Sequence, residues 1–329
     1  MPWRNHDCLA LADKDGRIRN TISFFGIIMD HLAALRVFIR VAESGSFSRA
    51  AEALNLPRAS VTTAVQAVET RVGTRLLSRT TRRVALTPDG TAYLERCRRL
   101  LDDVDDMDAL FRQGADQIKG RLKVSLPERL ANHTLIPALP AFLARYPGVQ
   151  VELAVTDRFV DLVGEGVDCV IRAGELRDSR LIGRRLGAMV QGSFASPAYL
   201  SAHGTPIEPA DLPGHRLIGY VGPQGADFSW EYMEAGRPRQ IVVPARLAVD
   251  NAEAQVAAAM AGLGLIQVPV YGIRPQVTDG RLVEVLAGYR PPPLPMTVLY
   301  PHRRHRSPKV TAFIDWVESV LAAARVFAA

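Results

Sequence analysis

The apolar positions between residues 47 and 69 predict two short helices joined by a turn. Ala50, Ala51 and Leu54 form a small apolar face at helical spacing, and Asn55-Leu56-Pro57 interrupts it. A second apolar face follows at the same spacing and consists of Val61, Val65, Val68 and Val72. This layout is typical of a helix-turn-helix, although an ordinary amphipathic helix pair fits the pattern by itself equally well.

The positions of the second helix that point away from this face carry side chains short or polar enough to enter a DNA groove. They are Arg58, Ala59, Thr62, Thr63 and Gln66. These residues alone do not distinguish a DNA-reading helix from an ordinary packed helix, so the neighbouring sequence is needed.

A β-prone, arginine-rich segment follows at residues 75–90. Arg79, Arg82 and Arg83 stand there among serine and threonine residues, which supply charges and hydroxyl groups for phosphate oxygens. Beside a helix-turn-helix this segment predicts a wing, and the alternative is a solvated basic loop. The segment ends at Thr87-Pro88-Asp89, which combines a hydroxyl N-cap, a proline and an acid and so predicts a helix start.

The helix that begins there carries a narrow apolar stripe, which predicts a partner helix. The stripe consists of Leu94, Cys97, Leu101, Val104, Met107 and Phe111. The first half of the helix is basic and the second half acidic, so two antiparallel copies would bring opposite charges together. We expect a dimerisation helix that ends near residues 114–120, and the alternative is packing against its own chain.

Beyond residue 120 the pattern predicts an α/β fold. Strand-like runs at 122–126, 149–155 and 167–172 alternate with helical patterns at 135–146 and 159–165, which favours a mostly parallel sheet covered on both faces. A second block has strands at 217–221, 240–249 and 264–268 and a helix at 252–261. A last helix is expected at 309–323, so the chain builds one lobe, crosses to a second and returns.

Charge divides the chain into a basic module and a nearly neutral body. Residues 36–99 hold twelve arginines and five acids, or +7, whereas the total is +6, so the remainder carries −1. A basic module joined to a neutral body indicates a polyanion-binding segment and a domain with another role. Two lobes of this size exceed what a purely architectural DNA binder needs.

Other classes of protein lack support in the sequence. The phosphate-binding, hydrolase and zinc-protease motifs G-x-x-x-x-G-K, G-x-S-x-G and H-E-x-x-H are missing, and the arginines around His302 and His305 disfavour a metal ion there. Cys8, Cys97 and Cys169 show no disulfide or zinc spacing. The apolar stretch at 22–29 is too short to span a membrane and lacks a signal-peptide cleavage site. We therefore expect a cytoplasmic protein that is not an enzyme and needs no cofactor or metal.

These motifs together strongly resemble the LysR-type transcriptional regulators. The resemblance is carried by LRVFIRVAESGSFSRAAEALNLPRASVTTAVQAVETRVGTRLLSRTTRRVALTPDG at 35–90, VDLVGEGVDCVIRAGEL at 160–176, LIGRRLG at 181–187, SPAYL at 196–200 and AGLGLIQVP at 261–269. It implies an N-terminal winged helix-turn-helix, a long linker helix and a C-terminal effector domain of two α/β lobes, like a type 2 periplasmic binding protein. It further implies a homodimer that assembles into a homotetramer on promoter DNA, contact with RNA polymerase, and a small-molecule co-inducer between the lobes.

The resemblance divides the chain into five segments. They are an extension at 1–28, with Met29 as the expected working start, the DNA-binding domain at 29–87, the linker helix at 88–119, the first lobe at 120–188 and 269–325, and the second lobe at 189–268. Carried over onto this chain, Arg58 would read guanine, Gln66 adenine, and Thr62 and Thr63 a phosphate or a thymine methyl group. Ser46, Ser48, Arg79, Arg82 and Arg83 would contact the DNA backbone. Pro57 would be the first residue of the reading helix.

The effector site is expected beyond the carboxyl ends of the strands, as in other open α/β sheets. This places Glu128 and Arg129 after the first strand and Asp157 and Arg158 after the second. The arginines Arg129 and Arg158 favour an anionic effector such as a carboxylate. Further candidates are Arg172 and Asn251, for which the alternative is a hydrogen-bonding role at strand and helix ends.

Overall fold

The computed structural model describes residues 23–79, 84–109, 118–158, 164–174, 182–222, 225–300 and 307–327. The chain forms two compact units, residues 1–105 and 106–329. The predicted extension lies outside the described residues up to position 22, and so do the end of the predicted linker helix at 110–117 and most of the predicted helix at 159–165. No helix of the described segments is long and apolar enough to cross a membrane.

The first unit contains the predicted helix-turn-helix and wing. Its elements are α1 (Ser23–Ser44), α2 (Phe47–Leu54), α3 (Arg58–Val72), β1 (Leu77–Arg79), β2 (Val84–Leu86) and all but the last four residues of α4 (Pro88–Ala109). Strands β1 and β2 pair antiparallel as a hairpin, with Leu77 opposite Leu86. The core joins Phe38 of α1 to Ala50 of α2 and to Val61 and Val65 of α3, all of them fully buried.

The turn between α2 and α3 differs from the prediction in two details. Asn55 adopts the left-handed conformation that ends α2 (φ 51°). Pro57 precedes α3 as its N-cap, with an extended ψ of 139°, so it is not the first helical residue as predicted. Val72 is 37% exposed, because the apolar face of α3 leaves the core at its last turn.

The apolar stripe of α4 serves mainly the core of its own chain. Leu94, Cys97 and Leu101 are buried in the first unit, which agrees with the alternative of packing against its own chain. The charges of α4 also have partners in α1, since Arg98 contacts Glu43 at 2.9 Å. Burial raises the pKa of Cys97 to about 11, which keeps this thiol protonated and unreactive.

The second unit begins with a five-stranded sheet, which defines the first lobe. Its strands are β3 (Lys119–Leu126), β4 (Gly148–Val155), β5 (Cys169–Ala173), β6 (Ile182–Met189) and β15 (Leu294–Tyr300), in the order β4-β3-β5-β15-β6. A helical segment covers the sheet and consists of α5 (Glu128–Leu130), a π-helical turn at Ala131–Leu135 and α6 (Ile136–Arg145). Helix α10 (Pro308–Ala323) contributes Phe313 and Val317 to the same core.

The sheet is mixed, whereas the sequence predicts a mostly parallel one. Strand β3 pairs parallel with β4 and β5 as expected, but β15 pairs antiparallel with β5 and β6. The reason is the path of the chain, because β6 leads out of the first lobe and β15 leads back into it.

The second lobe is built from short strands and short helices. The strands are β7 (Gln191–Ala195), β8 (Leu217–Gly222), β9 (Gly225–Asp227), β10 (Ser229–Glu234), β11 (Arg237–Val242), β12 (Ala245–Val249), β13 (Ile266–Pro269) and β14 (Val283–Val285). The helices are α7 (Pro197–His203) and α8 (Ala252–Met260), and α9 (Arg274–Thr278) follows β13. The sheets are β12-β8-β9, β13-β7-β14 and the hairpin β10-β11.

The second lobe differs from the predictions at one strand and at the point where the chain returns to the first lobe. The strand expected at 240–249 is two strands, since Val243 and Pro244 separate β11 from β12, and proline cannot donate a sheet hydrogen bond. The return to the first lobe comes later than residue 269, because β14 still pairs with β7 through Val285.

Candidate functional site

The outer surface of α3 presents all five of the predicted base-facing residues. Arg58, Ala59, Thr63 and Gln66 are exposed and Thr62 is half-buried. The hydroxyl groups of Thr62 and Thr63 donate to the carbonyl oxygens of Arg58 and Ala59 at 3.1 and 3.0 Å. In this arrangement the two threonines offer methyl groups and oxygen lone pairs, rather than O–H donors, to a bound base.

The predicted backbone-contacting residues flank α3 on two sides. Ser48 is exposed on α2, whereas Ser46 is the N-cap of α2 and its Oγ accepts a hydrogen bond from the Arg49 amide at 3.4 Å. The wing hairpin is anchored to α3 by Glu69, whose Oε1 accepts the amides of Leu76 and Leu77 at 2.9 and 3.0 Å. The predicted contacts Arg82 and Arg83 fall outside the described residues, as does the side chain of Arg79.

A cavity of about 310 Å³ lies in the second unit between the two lobes. The first lobe lines it with Arg129, Leu130, Asp157, Arg172, Met189 and Met296, and the second lobe with Tyr220, Ala252, Gln255, Gln267 and Val268. A concave, largely apolar cavity with a few polar groups is the usual form of a small-molecule site.

Three of the predicted effector residues converge in this cavity. They are Arg129, Asp157 and Arg172, and the two arginines are 6% and 4% exposed. Burial lowers the pKa of both guanidinium groups, while Glu253 acts in the opposite direction on Arg129 and Asp157 on Arg172. Buried cations of this kind need acceptors or anions around them.

The two arginines have different partners. Arg129 Nη1 contacts Glu253 Oε2 at 2.6 Å, and its Nη2 donates to the carbonyl oxygen of Gly272. Arg172 donates to the carbonyl oxygens of Ile171 and Arg158 and to Ser125 Oγ, each at 2.8 Å. In both side chains the Nε–H group is buried and has no acceptor among the described residues.

Asp157 links the two lobes. Its Oδ1 accepts the Glu128 amide at 2.9 Å, and its Oδ2 accepts the Ala252 amide, the first of α8, at 3.0 Å. The Tyr220 hydroxyl also hydrogen-bonds this carboxylate, and burial together with Asp157 raises the Tyr220 pKa. Amides at a helix N-terminus stabilise a carboxylate, so the charge of Asp157 is offset by donors from both lobes.

The other predicted effector residues do not line the cavity. Arg158 is an exposed side chain that pairs with Asp250 at 2.7 Å. Asn251 is the N-cap of α8 and accepts the Ala254 amide at 2.8 Å, which matches the hydrogen-bonding alternative. Glu128 lies at the start of α5, where burial and then Asp157 raise the pKa of its carboxyl group.

Several residues of the cavity escaped the sequence analysis. Tyr220, Gln255, Gln267 and Tyr271 are separated from the first-lobe residues by many positions, and no local spacing connects them to the arginines. Glu253, which pairs with Arg129 but does not line the cavity, carries only the weak signal of an acid in the first turn of a helix, which the helix dipole also explains. Burial raises the pKa of Tyr271 to about 12, so this group faces the cavity as a neutral phenol.

Comparisons with known proteins cover both units. The LysR substrate binding domain matches residues 115–322, and the bacterial regulatory helix-turn-helix protein, lysR family, matches residues 32–91. YhjC from Escherichia coli K12, named an uncharacterized HTH-type transcriptional regulator, is 40% identical over 294 residues, or 89% of this chain and 98% of that protein. An HTH-type transcriptional repressor from Pseudomonas aeruginosa UCBPP-PA14 is 38% identical over 89% of this chain and 93% of its own length.

Solved structures of full-length regulators match most of this chain. The full-length virulence activator AphB of Vibrio cholerae is 30% identical with a TM-score of 0.53, over 88% of this chain and 98% of that one. The regulator CrgA of Neisseria meningitidis is 29% identical with a TM-score of 0.56, over 87% of this chain and 97% of that one. The helix-turn-helix, the wing and the two-lobed body with its cavity agree with these matches, and the chain belongs to the LysR family of DNA-binding transcriptional regulators.

Proposed function

We propose that a small anionic effector binds in the cavity between the lobes and changes how this regulator binds or bends promoter DNA. The observation that carries the proposal is the presence of two buried guanidinium groups, Arg129 and Arg172, in an otherwise largely apolar cavity. A ligand can act in this way only if it binds two arrangements of the protein with different affinity. The proposed site of action is the cytoplasm.

On the DNA, one α3 helix occupies the major groove of each half-site of an inverted repeat, about one helical turn apart. Arg58 and Gln66 are exposed on the outer face of α3 and supply the base-reading donors and acceptors. Ser46, Ser48 and the wing arginines hold the module on the phosphates. Such contacts set affinity for any sequence and fix the register of α3.

The protomers assemble through α4 into a dimer and then a tetramer, which contacts RNA polymerase. Leu100 and Met107 support this seam, because they are 45% and 55% exposed and lie seven residues apart on one side of α4. The seam therefore keeps Met107 of the predicted stripe and adds Leu100, because Leu94, Cys97 and Leu101 of that stripe are already buried in the first unit.

The regulator and its effector are tested by footprinting the DNA upstream of its own gene. A protected inverted repeat is expected, and addition of the right carboxylate should change the protected length or create a cleavage site enhanced by bending. A footprint that no carboxylate alters, but that a neutral metabolite does, would contradict an anionic effector.

Substitutions in α3 and the wing should separate base reading from backbone contact. We expect Arg58→Ala to cost about 1–3 kcal/mol at the specific site and little on random DNA, because one bidentate base contact is lost. Arg82→Ala should weaken binding to all sequences and lower the salt slope by about 1. Salt titrations on specific and random duplexes measure both effects, and equal behaviour of the two variants would contradict the assigned roles.

Substitution of Arg172, which lines the cavity, and of Arg158, which does not, should have different effects on ligand affinity. Arg172→Met is expected to lower affinity for a bound carboxylate by about tenfold or more, since a charged hydrogen bond is lost. Arg158→Ala should leave the affinity unchanged, because Arg158 is exposed and paired with Asp250. Calorimetry with pentanoate as the probe measures this, and unchanged DNA binding without ligand shows that each variant is folded. Equal losses in the two variants would contradict the assignment.

A further inference from the structure

The two arginines of the cavity differ in how their charges are balanced. Arg129 forms an ion pair with Glu253 at 2.6 Å, and Glu253 also contacts His133 Nε2 at 2.6 Å through its other oxygen. Arg172 donates only to neutral oxygen atoms, and it forms no ion pair with any carboxylate in the described part of the chain. Arg129 is therefore neutralised in place, whereas Arg172 is not.

Asp157 does not supply the missing counter-charge by contact. Its two oxygens already accept the amides of Glu128 and Ala252, and the Tyr220 hydroxyl donates to it as well. The Ala252 amide stands at the N-terminus of α8, where the helix dipole offsets a negative charge. One buried cation, Arg172, thus faces the cavity without a contacting anion, and such a charge is costly unless an anion joins it.

Each of the two buried arginines keeps one N–H group that has no hydrogen-bond partner in the described segments. The Nε–H groups of Arg129 and Arg172 are buried and have no acceptor among the described residues. Gly272 leaves room beside the first of them, since a Cβ atom at this position would lie 3.2 Å from Arg129 Nε. Both groups are enclosed, so they leave the two guanidinium groups under-compensated, and an anion in the cavity would offset this charge.

The rest of the wall is apolar and limits the size of the ligand. Leu130, Met189, Leu294, Met296 and Val268 line the cavity, whose volume of about 310 Å³ is at the lower end for ligand sites. A sugar or another strongly hydrated ligand would bind poorly, because its hydroxyl groups would give up hydrogen bonds to water and find no partners among these side chains.

We propose that the effector is a small monoanion with an apolar body, that Arg172 is its counter-ion, and that Glu253 determines this charge preference by neutralising Arg129. The inference rests on the proposed function, since it concerns the same cavity. Its specific content is that Glu253, a residue outside the cavity wall, excludes dianions.

The test compares three probes of equal chain length in the full-length protein. They are pentanoate, a monoanion, glutarate, a dianion, and pentanamide, which is neutral. Wild-type protein should bind pentanoate more tightly than the other two. In Glu253→Gln the affinity for glutarate relative to pentanoate should rise by about tenfold, because the Arg129 charge becomes available. Asp250→Asn is the matched control, since Asp250 also pairs with an arginine of the first lobe but outside the cavity, and the ratio should not change.

The ratio of glutarate affinity to pentanoate affinity, taken within each variant, shows whether Glu253 sets the charge preference or only supports the fold. If Glu253 only held the lobes together, Glu253→Gln would weaken all three probes in parallel, and this result would overturn the proposal. Equal binding of pentanoate and glutarate by the wild-type protein would also overturn it, yet it would leave an anionic effector intact. Preference for pentanamide in the wild-type protein would instead reject both this inference and the anionic effector.

Discussion

Replacement of Gly90 by alanine is expected to destabilise the DNA-binding unit by about 3 kcal/mol or more and to abolish DNA binding near its lowered melting temperature. The added Cβ atom would lie 1.9 Å from the carbonyl oxygen of Leu76 and 2.8 Å from its carbonyl carbon. These are backbone atoms, so no side-chain rotation relieves the overlap. The same carbonyl accepts the Thr87 amide at 3.0 Å, so a shift of Leu76 also breaks the start of α4.

The measurement is thermal unfolding of the full-length protein, followed by circular dichroism and by a gel shift at each temperature. Thr91→Ala is the matched control, because Thr91 is the next residue of α4 and its side chain is exposed. This control should stay within about 0.5 kcal/mol of the wild type. An unchanged melting temperature in Gly90→Ala would show that the close approach of α4 to Leu76 does not hold in solution.

Glu69→Ala is expected to weaken binding to specific and random DNA alike, by about tenfold or more. Glu69 Oε1 accepts the amides of Leu76 and Leu77, which lead into β1 of the wing. Its removal leaves two partly buried amides without their acceptor, which lowers the free energy of unfolding by about 1–3 kcal/mol for each amide that water does not reach. The wing loses its anchor while the outer face of α3 is unchanged, so the ratio of specific to non-specific affinity should persist.

Salt titrations on the two kinds of DNA measure this effect. Thr70→Ala is the control, since Thr70 is the exposed neighbour on the same helix. A selective loss on the specific site would mean that Glu69 acts through α3 and its base contacts, and the wing-anchoring role would have to be abandoned.

Most elements of the DNA-binding unit are predictable because their signals are local. The small residues Ala50 and Ala51, the break at Asn55 and the valines at Val61 and Val65 specify two packed helices within a short stretch of chain. The cap at Thr87 likewise predicts the start of α4, and Thr87 Oγ1 does accept the Gly90 amide at 2.9 Å. In contrast, the stripe on α4 was insufficient to decide its partner, since an apolar face looks the same whether α1 or another protomer covers it.

Strand direction and lobe boundaries depended on long-range pairing. The strands of the first lobe were expected from their apolar runs, yet β15 joins β5 and β6 antiparallel from more than a hundred residues along the chain. Nothing in the composition of β15 encodes its direction, because a strand buried on both faces reads alike in either orientation.

The effector site also combines features that are predictable from local sequence with contacts between distant residues that are not. The arginines that follow strand ends are readable from the sequence alone, because strand periodicity and side-chain type are local properties. That Arg129 is neutralised by Glu253, that Arg158 is paired outside the cavity, and that Arg172 stays without a contacting anion among the described residues follows only from the folded structure. Charge balance depends on distances of a few ångströms between residues about 90 to 125 positions apart in the chain, and Coulomb energies fall off with distance in space rather than along the sequence.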